Sequence, residues 1–269
     1  MNKDDPRTEK RRLRFSQEAR DAILRDPLRD GSLLSRSSTS SVRELQTSQQ
    51  AREQLLLLLQ SQKDRVLLEH GLRKLREIIV SVFQECKDDT NFLKLVHKTY
   101  NMSYDFFLED RQFHKLGAVV LNFMATNFPC SPYRELYALH CSHVGSNLNE
   151  CIKVLMGDPP SYKLDELHRQ LILLSSIYVA NMDSPSRWFQ ILMTLPTHLR
   201  KYLIAIPAYS HMRTRCLQHV RKCYNQISID FLLKYWFHGM AIKSDIQHEW
   251  QAEVNCTSQM IVFRRRRGH

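Results

Sequence analysis

The chain has 269 residues, 43% of them hydrophobic, which is enough for one large core or two smaller ones. Its longest purely apolar run, Leu55–Leu59, falls far short of the ~20 residues a membrane span needs, so no membrane partner is expected. The net charge of +11 is concentrated in residues 184–269, where thirteen Lys/Arg face four acids. Such a field favours a polyanionic partner, most often nucleic acid, or else an acidic protein surface.

Gly (7) and Pro (9) are scarce for this length, which points to helices rather than to a turn-rich β fold. Met1–Pro6 lacks the apolar core of a secretory signal. The seven cysteines, odd in number and without tight pairing, predict reduced thiols in the nucleus or cytosol.

Residues 1–41 read as a disordered basic tail, since Leu13, Phe15, Ile23, Leu24 and Leu28 are too sparse for a core. Lys10, Arg11, Arg12 and Arg14 form a candidate nuclear-import or phosphate-contacting cluster. Ser35–Ser41 reads as a linker whose Arg-Ser-Ser pattern suits phosphorylation.

Residues 42–209 read as a helical-repeat region. Ser41–Cys86 predicts one long helix or two in series, capped by Ser40 or Ser41, with Gly71 as the expected bend. Leu55–Leu59 is apolar all round, so that turn is expected to be buried on every side or to touch a partner. Helices follow at Asn91–Tyr100 and from Asp105 or Asp110 to Asn127, the latter closed by Phe128-Pro-Cys-Ser-Pro132. Tyr133–Val144 and Asn147–Met156 form an antiparallel pair, followed by Leu164–Val179. A short helix opens at Ser184 or Ser186, and another lies between Pro196 and Pro207. Such lengths and spacings fit stacked helical hairpins.

Residues 210–263 read as a winged-helix subdomain. Ser210–Tyr224 carries Met212, Cys216, Leu217, Val220, Cys223 and Tyr224 on one stripe, with Arg215, Gln218 and Lys222 opposite. Ile227–Asp230 is a short extended entry, with Asp230 as cap of Phe231–Phe237 and Gly239 as its end. Ser244 or Asp245 opens a third helix carrying Ile246, Trp250 and Val254, in the position that can enter a nucleic-acid groove. Gln259–Phe263 is the wing strand, and residues 264–269 are a basic tail. The expected fold is therefore all-α: stacked helical hairpins capped by a C-terminal winged helix with a short β wing.

Tyr133-Arg-Glu-Leu-Tyr-Ala-Leu139 resembles the "EF-x-AY-x-LL" helix of the GANP/Sac-three family, a branch of the PCI superfamily. Asn181–Leu192, with Arg187-Trp188-Phe189, is similar to its "GNY-x-RFF-x-L" turn, with Ala180 in place of the glycine. Arg213–Tyr224 resembles its "R-x-x-AL-x-x-I-x-KAY" helix. The resemblance spans residues 110–263 and implies a PCI-like, non-catalytic scaffold of a nuclear assembly in mRNA processing or export. It implies partner subunits, either PCI-type or small and acidic, and RNA as a further ligand. The alternative is a purely protein-binding subunit of a proteasome-lid, signalosome-like, centrosome or spindle assembly.

The candidate nucleic-acid contacts are Arg200, Lys201, Arg215, Arg221, Lys222, Lys243 and Arg264, Arg265, Arg266 and Arg267. Tyr202, Tyr209 and Trp250 are aromatic neighbours able to stack on bases, although apolar spacing equally makes Trp250 a core residue. Trp250, Met260, Ile261, Val262 and Phe263 are the candidate partner contacts, by pairing along the wing strand. His140-Cys141-Ser-His143 has ligand-type residues, but Cys141 leaves the face that the histidines share and no fourth ligand stands at zinc spacing. Buried or interface roles are expected, with no metal or cofactor. Cys216 and Cys223, on one helical face, read as core packing. No nucleophile elbow or phosphate-loop pattern occurs, so no catalysis is expected.

Overall fold

The structure, a computed structural model, describes residues 40–129, 132–157, 165–250, 255–256 and 259–263. The import cluster Lys10, Arg11, Arg12 and Arg14 and the tail Arg264–Arg267 lie outside the described residues. The protein is predominantly helical. Its chain divides into two compact units, Met1–Glu109 and Asp110–His269, so the break between cores falls well before the sequence-based boundary at 209/210.

In the first unit, Ser41–Cys86 forms neither one helix nor two but three: α1 (Ser40–Thr47), α2 (Gln49–Ser61) and α3 (Arg65–Cys86). The breaks come where side chains compete for the backbone. Ser48 Oγ accepts the Ala51 N–H at 3.2 Å, and Asp64 Oδ1 accepts the Val66 N–H at 2.9 Å and that of Leu67 at 3.2 Å. Gly71, the expected bend, is buried inside an unbroken α3. The Leu55–Leu59 turn is also two-sided. Leu55, Leu56 and Leu59 are buried, whereas Leu57 and Leu58 are 64% and 48% exposed.

Helix α4 (Thr90–Glu109) runs twice as far as the periodicity suggested. It completes a core of Leu72, Leu75, Ile78, Ile79, Phe92, Val96, Tyr100 and Phe107. Two arginines are buried in this unit. Arg52 donates to the carbonyls of Leu45 (3.0 Å) and Gln46 (2.9 Å), satisfying the end of α1. Arg76 donates to Ser103 Oγ at 2.7 Å and lies 5.1 Å over the Phe107 ring. Burial pulls its pKa down to about 10.

The second unit begins with α5, a continuous helix made of Phe113–Lys115, a wide π turn Leu116–Leu121 and Asn122–Asn127. Helices α6 (Tyr133–His143) and α7 (Leu148–Met156) pack antiparallel, as expected. Arg134 at the start of α6 donates to the Val154 and Leu155 carbonyls at the end of α7, both at 2.8 Å. Helix α8 (Glu166–Ala180) is capped by Asp165, and α9 (Pro185–Thr194) by Ser184 with Pro185 in the first turn. Helices α10 (Thr197–Ala205) and α11 (Pro207–Cys223) follow, the latter starting three residues earlier than Ser210 because Pro207 suits a first turn.

Inside this unit Gly117 is a place where only glycine fits. A Cβ there would stand 2.0 Å from His140 Nε2, a side chain that is itself buried. Gly117→Ala is therefore expected to lower stability by ~1–3 kcal/mol, despite alanine's better helix propensity. A fall in the urea midpoint checks this, and an unchanged or raised midpoint would contradict it.

The chain then forms β1 (Gln226–Ser228), α12 (Ile229–Phe231, continuing as a π turn Leu232–Trp236), α13 (Lys243–Trp250), β2 (Asn255–Cys256) and β3 (Met260–Val262). Asp230 is not the cap of α12. It lies in the first turn, one residue past a start at Ile229. Gly239 does end the helix, at φ +77°. The sheet order is β1-β3-β2, both pairs antiparallel, with Ile227 opposite Ile261 and Cys256 also opposite Ile261. Helix α9 packs on both α11 and α12. Phe189 meets Phe237 edge-on at 4.8 Å, and Ser186 Oγ donates to the Tyr235 carbonyl at 2.8 Å. The terminal stretch thus shares its core with the helices before it, which explains why no boundary falls at 209/210. No described helix is long and apolar enough to cross a membrane.

Candidate nucleic-acid interface

The sheet settles how the wing strand is used. β3 lies between β1 and β2, so both its edges are already paired. The expected strand addition along Met260, Ile261, Val262 and Phe263 is therefore corrected at Ile261 and Val262, which among the described residues are paired on both sides. Ile261 is fully buried, and Met260, Val262 and Phe263 are half-buried. Trp250 is also a core residue rather than a surface contact. It is 2% exposed, with its ring 6.3 Å from Phe237 and 6.4 Å from Phe263.

The aromatic neighbours proposed for base stacking are withdrawn inward too. Tyr202 is fully buried, and the Tyr209 hydroxyl donates to the Met240 carbonyl. Arg215 is spent on structure. Its Nη1 donates to the carbonyls of Ile177 (2.8 Å) and Tyr178 (3.3 Å) at the end of α8, and burial lowers its pKa. Arg200 turns back to the Met193 carbonyl at 3.1 Å. Lys201, Arg221, Lys222 and Lys243 are exposed. Cys223, expected in the core, is exposed because it sits at the fraying end of α11, while Cys216 is buried.

A different set of aromatics takes the place of those lost. Phe231 and Tyr235 stand four residues apart on α12 and so share its outer face. They are 42% and 50% exposed, with ring centroids 4.7 Å apart. Tyr224, half-buried at the end of α11, lies 6.4 Å from Phe231 and 6.3 Å from Trp236. Lys234 Nζ sits 5.1 Å over the Tyr235 ring, and Arg221 and Lys222 precede Tyr224 on the last turn of α11. Asp230 is the acid of this segment, facing three cations. The inner face of α12 carries Ile229, Leu232 and Phe237, all buried. An exposed aromatic platform rimmed by Lys and Arg is what unpaired bases stack on while their phosphates are neutralised.

The sequence reading missed Phe231 and Tyr235 because Phe231–Phe237 is apolar enough to pass for an inner helix. The spacing gave no signal, because positions i, i+1, i+4 and i+5 fall within ~140° of one helical face and Phe231, Leu232, Tyr235 and Trp236 could share a single stripe.

His140 and His143 are structural. His140 Nδ1 and the Tyr202 hydroxyl share a 2.7 Å hydrogen bond. His143 is sandwiched in the core, stacked on Tyr178 at 4.5 Å, and its Nε2 accepts the Trp188 indole N–H at 3.3 Å. Its Nδ1 lies 2.8 Å from Ser142 Oγ, which also meets Ser175 Oγ at 2.9 Å. Among the described residues, no three His, Cys, Asp or Glu side chains converge as a metal site would require.

Comparison with known proteins adds nothing to this geometry: no family model, curated protein or solved structure matches the chain.

Proposed function

We propose that the protein is a non-catalytic, PCI-type scaffold subunit of a nuclear mRNA processing or export assembly, and that its C-terminal part is a winged helix binding single-stranded RNA. The observation that carries this reading is the exposed Phe231–Tyr235 pair with Lys234 over the Tyr235 ring, beside Tyr224, which Arg221 and Lys222 precede on α11. The element order supports it as well. Helix α11, β1, α12, α13, β2 and β3, with β3 central, is the succession that a winged helix requires. Partner subunits would be held by other surfaces, of which Leu57 and Leu58 are the most apolar exposed neighbours.

The test is fluorescence anisotropy with a labelled single-stranded RNA and its duplex, at low and moderate salt. Single strands are expected to bind more tightly, with affinity falling as salt rises. The double variant Phe231→Ala/Tyr235→Ala is expected to lose ~2–4 kcal/mol of single-strand affinity, taking ~1–2 kcal/mol per stacked base. Absence of binding at low salt would overturn the RNA half and leave a protein-binding subunit. Equal loss for duplex and single strand would remove stacking as the mechanism.

A further inference from the structure

The aromatic patch is a row with two ends. Tyr224 lies 6.4 Å from Phe231, and Phe231 lies 4.7 Å from Tyr235. Tyr224 forms the end that follows Arg221 and Lys222 on α11. Tyr235 forms the other end, where α12 meets the first turn of α9. Ser186 Oγ donates to the Tyr235 carbonyl at 2.8 Å and lies 3.1 Å from His238 Nε2. His238 reaches that position because the chain turns back at the end of α12, with φ +48° at His238 and +77° at Gly239.

The proton positions at this join follow from the groups present. A carbonyl only accepts, so the one hydroxyl proton of Ser186 goes to Tyr235. His238 Nε2 must then donate to Ser186 Oγ, which a neutral imidazole does when its proton is on Nε2. Burial lowers the His238 pKa, and the positive charge of Arg187 lowers it further. The ring is thus neutral at pH 7 and is not the cation of this end.

That cation is Arg187, one residue past Ser186. It is exposed, and among the described residues its side chain makes one hydrogen bond, from Nη1 to Gln190 Oε1. A guanidinium has five N–H donors, so most of its capacity is open to a ligand. Among the described residues no carboxylate pairs with it. Asp183, the nearest acid in the sequence, accepts the Ser184 N–H on Oδ1 at 2.6 Å.

We propose that Arg187 is a phosphate contact, and that a single-stranded RNA runs from the last turn of α11, across the three rings, to the first turn of α9. This inference rests on the single-strand reading and extends it in two ways. The site is not confined to the winged-helix elements, because α9, a helix of the preceding stack, closes one end. Its length is also set. Three rings take three bases, and a phosphate beyond Tyr235 makes the footprint about four nucleotides.

Fluorescence anisotropy on the full chain tests it, with labelled oligouridylates of two, four, six and eight nucleotides. Affinity is expected to rise ~10-fold or more from two to four nucleotides, and by no more than ~5-fold from four to eight. Arg187→Gln is expected to weaken the tetranucleotide by ~3–10-fold and to reduce the salt slope by about 0.7, the share of one single-strand phosphate contact. Lys153→Gln removes an equal charge from the exposed face of α7 and should leave affinity within ~2-fold. Arg187 is exposed, so its variant should keep the wild-type urea midpoint. Weaker binding with an unchanged salt slope would overturn the phosphate contact. So would full affinity in Arg187→Gln when Phe231→Ala/Tyr235→Ala has lost it, and the single-strand reading would then stand without this extension. No binding of any oligonucleotide at low salt would overturn both.

Discussion

Trp188→Ala is expected to lower stability by ~3–5 kcal/mol, the cost typical of truncating a fully buried tryptophan. Trp188 has no exposed surface and meets Phe189 edge-on at 5.1 Å. Phe189 in turn meets Phe237 of the terminal subdomain, so the cavity would open where that subdomain joins the helices before it. A second loss adds to the first. The indole N–H is the donor to His143 Nε2, and its removal leaves a buried acceptor unmatched. Trp188→Phe keeps most of the ring and loses the N–H, so it should cost less, ~1–2 kcal/mol. Urea unfolding followed by tryptophan emission measures both. Trp188, Trp236 and Trp250 all lie beyond Asp110, and the signal therefore reports the second unit. A loss below ~1 kcal/mol for the alanine variant would mean that the join is not closed by this side chain.

Most of the helices were legible in the sequence, and the reason is local. Ser184 and Gly239 act within one turn of themselves, and each marks an end in the structure as its chemistry dictates, whereas α8 and α11 start at Glu166 and Pro207 and not at the expected Leu164 and Ser210. The breaks at Ser48 and Asp64 were hidden by the apolar run between them, whose periodicity continues regardless of the phase of the helix carrying it. What the sequence did not reveal was depth. Trp250, Tyr202 and Cys223 have burials decided by partners far away in the chain or by the end of a helix, and apolar character alone does not separate an inner from an outer position. The same gap hid Phe231 and Tyr235. The position of β3 inside the sheet was likewise invisible, because strand order depends on which strand returns beside which. Arg215 shows the limit for charge: thirteen cations can be counted in residues 184–269, but only the fold shows that this one closes the end of α8.

Mild acid is expected to destabilise the second unit through its two buried histidines. Burial lowers His140 to about 4, helped by the nearby charge of His114, and burial lowers His143 to about 3. For His143 the chemistry agrees with the environment. A tryptophan N–H can only donate, so Nε2 must be unprotonated to accept it, and protonation would break that bond. Both folded values lie below the ordinary 6.5 of the unfolded chain, so between these limits the unfolded state binds more protons. The stabilising contribution is complete above about pH 6.5 and is lost as pH falls toward 4 and then 3. From pH 7 to pH 5 each histidine should remove about 2 kcal/mol, roughly 4 kcal/mol together. Urea midpoints of the second unit at pH 7, 6 and 5 measure the slope. His143→Gln should reduce that slope by about half, whatever it does to stability at pH 7, because the slope counts protons and not contacts. A wild-type slope that survives His143→Gln unchanged would show that carboxylates and other histidines carry the acid response, and that the imidazole under Trp188 does not resist its proton as its surroundings require.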